Sequence, residues 1–419
     1  MVRAMSGGAR RTDQDLNRQI DACVRELRGE MIDFTSELVA IASENPPGAE
    51  YRTCVRAIES RLRALGLACE RIPYRAAKGA QDESGAAVVV SGVGSGKRTV
   101  YFSGHYDVVP VTMPGQCSPL RRGKTMFGRG TADMKSGLAS MLYAAAALQR
   151  LRVPLDGRVG LVFVPDEETG GRRGSAFLAA AKRLGRNGIG MLTPEPTSGA
   201  IWNANRGALT MQVTVLGREA HVGLLHQGRN AFEDAIRVVA ALQRLARRVG
   251  RRRTRFRVTP DAARRSLMLI GGRVEAGSNF NVVPGRCVFT VDRRMNPEED
   301  FEAERRALFA VFDDARRDGV SLDVDVFQEG RPSGTPETTP LGRALAAHVS
   351  AVTGRTPTFE MCPGLLEIRF YAEQGMPAYA YGPGLLAVSH GPREFVHIDR
   401  IVDCAAIYAR TAATVLGVT

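Results

Sequence analysis

Apolar residues first recur at helical spacing. Ile20, Cys23, Leu27, Met31, Phe34, Leu38 and Ile41 fall three or four positions apart and predict one amphipathic helix over 14–42, closed by Asn45-Pro46-Pro47-Gly48. A second helix is expected over about 50–65, ending at Gly66. The period then changes. Strand-like runs at about 68–73, 86–92 and 98–104 lead into the segment Gly104-His105-Tyr106-Asp107, and an apolar helix follows Gly137 to about Leu151. Val159 to Val164 is a continuous apolar run that ends in Pro165-Asp166-Glu167-Glu168. A helix over about 173–184 and a short strand ending at Thr193-Pro194-Glu195 come next. Continuous β-branched strands alternating with helices predict an α/β fold: a mostly parallel sheet with helices on both faces.

Near Asn205 the pattern shifts to strict alternation. Leu209 to Leu216, a helix from about Ala231 to Arg248, strands at 266–275 and 285–293, a helix over 298–318 and a strand at 321–327 give a βαββαβ order. That order suits a two-layer α+β domain, placed at 205–329 and inserted into a discontinuous first domain formed by 1–204 and 330–419. Pro332 to Pro340 reads as the return linker, and a helix, a strand at about 376–381 and a closing helix over 399–416 rejoin the first domain.

Composition narrows the class. Hydrophobic content of 44% and charge of 24% are those of a water-soluble globular chain, and no apolar run approaches the roughly 20 residues of a membrane span. Residues 1–21 are polar and lack the apolar core of a secretory signal. Seven scattered cysteines, with no C-x-x-C pair, indicate reduced thiols and a cytoplasmic location. The net charge is +13, with its densest run between Arg244 and Arg257. That run contains one aromatic, Phe256, and follows a helix as a surface loop would, so nucleic acid is not expected as a partner.

The candidate chemistry gathers where segments end. His105 and Asp107 are two apart in an extended run and share a face, so the carboxylate can hold one imidazole nitrogen and leave the other for a metal. Asp133, Glu167-Glu168, Glu195 and His390 lie at comparable ends, where a parallel sheet presents its ligand-binding edge. Two imidazoles with three carboxylates suit Zn²⁺, Mn²⁺ or Co²⁺ and are too imidazole-rich for Mg²⁺ or Ca²⁺. Singly, each has a plainer role: Asp133 as a helix N-cap, Glu167-Glu168 as an acidic first turn, Glu195 as a loop charge.

In order and with their flanks, these segments resemble the M20 metallopeptidase and amidohydrolase family, which includes acetylornithine deacetylases, succinyl-diaminopimelate desuccinylases, aminoacylases and glutamate carboxypeptidases. The motifs are Gly104-His105-Tyr106-Asp107-Val108-Val109-Pro110, Gly128-Arg129-Gly130-Thr131-Ala132-Asp133-Met134-Lys135-Ser136-Gly137, Asp166-Glu167-Glu168-Thr169-Gly170-Gly171, Glu195-Pro196-Thr197 and Ser389-His390-Gly391-Pro392-Arg393-Glu394. The resemblance runs from about residue 25 to 415. It implies two divalent metal ions, zinc first and manganese or cobalt as alternatives. Asp133 would bridge them, His105 and Glu195 would hold one, and Glu168 and His390 the other. It also implies Glu167 as general base and Asp107 as the orienter of His105. The inserted domain corresponds to the family's lid or dimerisation domain, and a homodimer is implied. There Arg218-Glu219-Ala220-His221 and Gly228-Arg229-Asn230 match the motif whose histidine stabilises the oxyanion, often from the partner subunit. Asn281-Val282-Val283-Pro284 and Asp292-Arg293-Arg294 match segments that hold a substrate carboxylate.

Three places depart from the family. Leu225 followed by His226 stands where the lid motif usually has proline. Pro363-Gly364-Leu365-Leu366-Glu367-Ile368-Arg369 replaces a polar turn, and Cys117-Ser118-Pro119-Leu120 replaces an acidic-Pro-Phe segment. With Met113, Leu365 and Leu366 these predict a more apolar pocket, in which His226, Glu367 and Arg369 are candidate substrate contacts. The implied activity is hydrolysis of a C–N bond in a small carboxylate-bearing substrate such as an N-acyl amino acid. An aminohydrolase of aromatic amino acids or aminobenzoates, and a non-catalytic binding protein, remain the alternatives.

Overall fold

The computed structural model describes residues 13–74 and 86–417. The first part of the predicted polar lead-in, residues 1–12, lies outside the described residues. Helices α1 (Asp13–Glu26), α2 (Arg28–Val39) and α3 (Tyr51–Ala64) precede strands β1 (Cys69–Pro73), β2 (Ala86–Gly94) and β3 (Thr99–His105). Strands β4 (Leu120–Arg122) and β5 (Thr125–Phe127) lead to α4 (Lys135–Arg150), β6 (Arg158–Val164), α5 (Ser175–Ala180) and β7 (Gly188–Thr193). Next come β8 (Ile201–Asn205), β9 (Gly207–Leu216), α6 (Ala231–Val249), β10 (Leu267–Ala276) and β11 (Arg286–Met295). They are followed by α7 (Phe301–Arg317), β12 (Ser321–Gly330) and β13 (Ser333–Gly334). The chain closes with α8 (Pro340–Thr353), β14 (Phe359–Cys362), α9 (Ile368–Ala372), β15 (Ala378–Ala380), β16 (Phe395–His397) and α10 (Ile398–Leu416).

These elements form two compact units. One holds the described residues up to Ile201 together with Glu337–Thr358 and the chain from Met376 onward. Its sheet runs β1-β2-β6-β3-β7-β15, with β6, β3, β7 and β15 mutually parallel and β1 and β2 antiparallel at the edge. Every residue of β3 is buried, and every residue of β6 but the first. Such strands need cover on both faces, which is why they read as unbroken apolar runs. Helix α4 is buried along almost its whole length and packs on α10 and α2. Its Gly137 has a steric reason: a Cβ there would meet the carbonyl oxygen of Pro194 at 2.5 Å, so a larger residue would push the helix off the end of β7. Lys135, at the start of the same helix, is fully buried and donates from Nζ to the carbonyls of Leu38 (2.9 Å) and Ile41 (2.7 Å) at the end of α2.

The second unit comprises Trp202–Pro336 and Phe359–Gly375. Its four-stranded antiparallel sheet has the order β10-β11-β9-β12. Helices α6 and α7 supply Val238, Leu242, Leu308 and Phe312 to a core shared with Leu209, Met211, Val213 and Val215 of β9. The alternation read at 209–216 is thus the core face of β9.

Three expectations change. The predicted helix over 14–42 is divided at Leu27, although main-chain bonds continue through it (Leu27 N–H to Cys23 O, 3.1 Å; Met31 N–H to Leu27 O, 3.0 Å). Gly29 lies just beyond, where helix propensity is lowest. The helix expected over 173–184 shrinks to α5, because Lys182 turns left-handed (φ 54°). Residues 359–375, assigned above to the first domain, group with the second unit. There β14 pairs with β8, the Met361 N–H donates to Arg257 O (2.6 Å) and the Arg206 N–H to Gly364 O (3.1 Å). Met361 also joins an apolar cluster with Ala204 and Val258.

His348 on α8 is buried, with Nε2 2.8 Å from Thr414 Oγ1 on α10. Burial, reinforced by the charge of Arg410, lowers its pKa from 6.5 to about 4. The fold therefore prefers the neutral imidazole. The stability this contributes is complete above the unfolded value and is lost as pH falls from about 6.5 to about 4, amounting to about 3 kcal/mol. Urea midpoints of the wild type should fall more steeply across that window than those of His348→Gln; parallel pH slopes would refute the assignment.

Candidate metal centre

The parallel strands bring their C-terminal ends to one edge of the first unit. In the ladder His105 stands opposite Val164, so the turn Asp166-Glu167-Glu168 begins beside the imidazole, and Glu195 follows the end of β7. Asp133 lies one residue before Met134, which occupies the N-cap position of α4 with no side-chain cap, so the N-cap alternative for Asp133 is not the one adopted. His390 sits in the loop before β16 with a left-handed backbone (φ 63°), uncommon for a non-glycine residue and a mark of a position held by its surroundings.

Asp133 occupies the middle. Its Oδ1 lies 3.3 Å from His105 Nε2 and its Oδ2 3.3 Å from His390 Nε2. His390 Nε2 is also 3.2 Å from Glu168 Oε2, while His105 Nε2 is 4.0 Å from both Glu195 Oε1 and Glu167 Oε2. Two groups with ligand atoms within 4.8 Å of one another result: His105, Asp133 and Glu195, and Asp133, Glu168 and His390. Asp133 is common to both. The Nδ1 of His105 faces Asp107 (3.0 Å to its carbonyl oxygen, 3.4 Å to Oδ1), which places the ring proton there and leaves the Nε2 lone pair toward Asp133.

The electrostatics are those of a site built for cations. Burial alone would lower the pKa of His105, but the carboxylates of Asp107 and Asp133 outweigh it and hold it well above the usual imidazole range. Asp133 and Glu168 likewise raise His390 to about 10. Burial would raise the pKa of Asp133, and the two imidazoles override it and lower it. Glu195 is pushed up by burial and by the charge of Asp133, and Glu168 is raised chiefly by burial. Buried carboxylates in such numbers need positive charge between them. The polar atoms say the same: His105 Nε2, Glu168 Oε1 and Glu195 Oε1 are buried without an aligned hydrogen bond. A nitrogen and oxygen donor set with orphaned, converging lone pairs fits divalent cations of the zinc, manganese and cobalt kind.

Asp107 does more than orient His105. Its Oδ1 accepts the Glu167 N–H (3.2 Å) and its Oδ2 the Glu168 N–H (3.1 Å), so one fully buried carboxylate holds both the imidazole and the acidic turn. Asn45, which the sequence reading passed over as part of a loop, donates from Nδ2 to Asp107 Oδ2 (2.9 Å) and Thr169 Oγ1 (2.9 Å). Asp166 (φ 71°) closes the turn by accepting the Thr169 hydroxyl (2.7 Å) and the Arg173 N–H (3.0 Å). Nothing local marks Asn45; its partners are more than sixty residues away in the chain.

The remaining candidates lie in the second unit. His221 is exposed, and its Nδ1 accepts the Gly223 N–H (3.1 Å), so Nε2 carries the ring proton. Asn281 is on the neighbouring segment, its carbonyl accepting the Val222 N–H (2.9 Å). Asn230 caps α6 with its side-chain oxygen (3.0 Å to the Phe232 N–H). Arg294 is engaged by Asp292 (2.9 Å) and Gln328 (3.3 Å). His226 is exposed, while Glu367 and Arg369 are buried, and Arg369 donates to Leu366 O (2.7 Å). In the basic run, Arg252, Arg253, Arg255 and Arg257 are each matched by an acidic partner (Glu299 and Glu304, Asp261, Glu298, and Glu360). All seven cysteines are free thiols, and among the described residues no helix is long and apolar enough to cross a membrane.

Residues 101–414 match the family model for peptidase family M20/M25/M40. The chain is 28% identical to an acetylornithine deacetylase of Myxococcus xanthus over 367 residues, covering 86% of this chain and 91% of that one. It is 29% identical to a succinyl-diaminopimelate desuccinylase of Azoarcus sp. (strain BH72) over 395 residues, covering 91% and 96%. Its fold matches the M20 metallo-carboxypeptidase Sso-CP2 of Sulfolobus solfataricus (TM-score 0.77, 16% identity, 92% and 99% covered). It also matches a dinuclear metal-binding M20 peptidase of Bacillus subtilis (TM-score 0.67, 16% identity, 94% and 100% covered). The protein is a metal-dependent hydrolase of the amidohydrolase kind. It belongs to peptidase family M20/M25/M40.

Because Asp133 is shared by both groups, Asp133→Asn should weaken metal binding at each, whereas Glu195→Gln should weaken it at one. Saturating Zn²⁺, Mn²⁺ or Co²⁺ at a hundredfold its Kd stabilises a one-site protein by about 2.7 kcal/mol. The metal-induced rise in Tm should therefore be largest in the wild type, smaller in Glu195→Gln and nearly absent in Asp133→Asn. An undiminished rise in Asp133→Asn would refute the shared role.

Proposed function

We propose that the chain hydrolyses the amide bond of a small, carboxylate-bearing substrate of the N-acyl amino acid class, with Glu167 as general base. The observation that carries this is the division of labour at the sheet edge. Asp133 turns one oxygen to each imidazole, and Glu167 stands beside them without belonging to either ligand group. In this reading His105, Asp133 and Glu195 hold one divalent ion and Asp133, Glu168 and His390 another. Zinc fits the donors, as do manganese and cobalt. Bound there, the ions supply Lewis acidity that makes water a nucleophile near neutral pH and polarises the scissile carbonyl.

The chain's own groups do the rest. The backbone of Glu167 is fixed by Asp107, and its carboxylate keeps some contact with solvent at 14% side-chain exposure. It takes a proton from the attacking water and hands it to the departing amine. His221 offers Nε2–H as the oxyanion donor that the family resemblance implies. Asn281 and Arg294 supply amide and guanidinium donors for a substrate carboxylate, Arg294 by exchanging its present partners. The N-acyl amino acid class is supported by the relatives, two of which are named for deacetylation and desuccinylation of amino acids. A homodimer is supported by apolar residues left exposed on the second unit: Leu267 and Leu269 on edge strand β10, and Phe232 and Ile236 on α6. Free thiols throughout fit a cytoplasmic location.

The test is a panel of N-acetyl and N-succinyl amino acids, dipeptides and aminobenzoates assayed with added Zn²⁺, Mn²⁺ or Co²⁺. Glu167→Gln should lower kcat on the preferred acyl amino acid by about 10²–10⁴-fold while leaving metal content unchanged. Turnover confined to aromatic amines would replace the deacylase by the aminohydrolase, and full activity in Glu167→Gln would remove Glu167 from its role.

A further inference from the structure

Two residues within the metal-site motifs have no part in the chemistry above, yet they are among the most buried charges in the protein. Arg129 is 1% exposed and Glu394 2%. Their side chains meet at 2.7 Å (Nη1 to Oε2). Glu394 Oε1 also accepts two backbone N–H groups, from Ala132 (2.9 Å) and from Asp133 itself (3.1 Å). Arg129 meanwhile donates from Nη2 to the carbonyls of His390 (3.2 Å) and Pro110 (3.3 Å), and from Nη1 to that of Gly391 (3.3 Å). One ion pair thus binds three segments: the exit of β3, the turn carrying Asp133 and the loop carrying His390.

Strand pairing delivers the pair to this spot. Phe395 of β16 lies opposite Phe127 of β5, and the Gly128 N–H donates to Glu394 O (3.1 Å), so Glu394 and Arg129 leave adjacent strands side by side. Gln116 secures the same loop beyond the histidine, donating to the carbonyls of Gly391 and Pro392 (3.2 Å each).

We propose that Arg129, itself held by Glu394, is a positioning residue that fixes the loop of His390, and so sets the affinity of the Asp133–Glu168–His390 group selectively. The inference rests on the metal reading of the site given above. Its selectivity follows from which ligands are tied. His390, whose carbonyl Arg129 holds, serves that group alone, whereas Asp133 serves both groups and His105 and Glu195 are placed by β3, β7 and Asp107. A carboxylate bound to backbone N–H groups and a guanidinium spread over three carbonyls do what outer partners of metal ligands do: they hold the ligand at one orientation, and their loss weakens binding by about 10–100-fold.

The experiment titrates Co²⁺ into chelator-stripped full-length protein, reading the visible d–d bands and the stoichiometry, with the circular dichroism and Tm of each stripped variant recorded alongside. Arg129→Lys keeps the charge opposite Glu394 but cannot span His390, Gly391 and Pro110 together. It should retain one equivalent of Co²⁺ at wild-type affinity and bind the second about 10–100-fold more weakly, with stripped-state secondary structure unchanged. Glu394→Gln also loosens the shared Asp133 and should weaken both equivalents, so Arg129→Lys decides the selective tie. In Arg129→Lys, equal weakening of both equivalents, or two equivalents at wild-type affinity, would overturn the selective tie. A wild type that fails to take up two equivalents would overturn the dinuclear reading itself and the tie with it, an outcome distinct from either variant result.

Discussion

Carboxylates crowd around two imidazoles at the edge of a parallel sheet, and the rest of the site follows from keeping them there. Asp107, Asp133, Glu168 and Glu195 are each almost fully withdrawn from water, with Glu167 at their margin. Like charges at such separations in a low-dielectric setting repel by several kcal/mol unless protons or cations intervene. The imidazoles are drawn toward their protonated forms in response, which is the behaviour of a ligand set whose counter-charge is a cation. Nothing in folding alone would favour this arrangement. Its rigidity is imposed from outside the cluster by Asn45 and Asp107 on one side and by Arg129 and Glu394 on the other.

The fold supplies that rigidity cheaply because parallel strands end in register. With His105 opposite Val164, the segments that follow β3 and β6 emerge as neighbours, and their side chains need only short turns to converge. Burial of β3 on both faces fixes His105 from below, and α4 is pressed against the end of β7 through Gly137, bringing Asp133 toward Glu195. The second unit is built on other rules. It is a two-layer sheet and helix body that exposes apolar residues at its edge strand and carries His221 in a short helical turn outside the core.

Much of this was legible in the chain. Strand β3 with its His105 and Asp107, and the buried run of β6 leading to Glu167 and Glu168, follow from unbroken apolar runs, while the βαββαβ order of the second unit follows from periods of two and of about 3.6. What could not be read depends on distant partners. Asn45 resembles any loop asparagine before prolines, and its hydrogen bonds to residues 62 and 124 positions away give it work. Arg129 and Glu394 sit inside recognisable motifs, but a separation of 265 positions conceals that they touch. Residues 359–375 read as part of the first domain because they follow the Pro332–Pro340 linker, whereas the backbone bonds from Met361 and Arg206 draw the segment into the second unit. Glu367 and Arg369, charged residues within an apolar segment, are buried.

The most direct test of the central claim is anomalous diffraction from crystals of the protein grown with Zn²⁺, collected on either side of the zinc edge. The account predicts two peaks flanking the Asp133 carboxylate, one beside His105 and Glu195 and the other beside Glu168 and His390, with Glu167 coordinating neither. A single peak away from Asp133, or Glu167 ligated in place of Glu168, would contradict it.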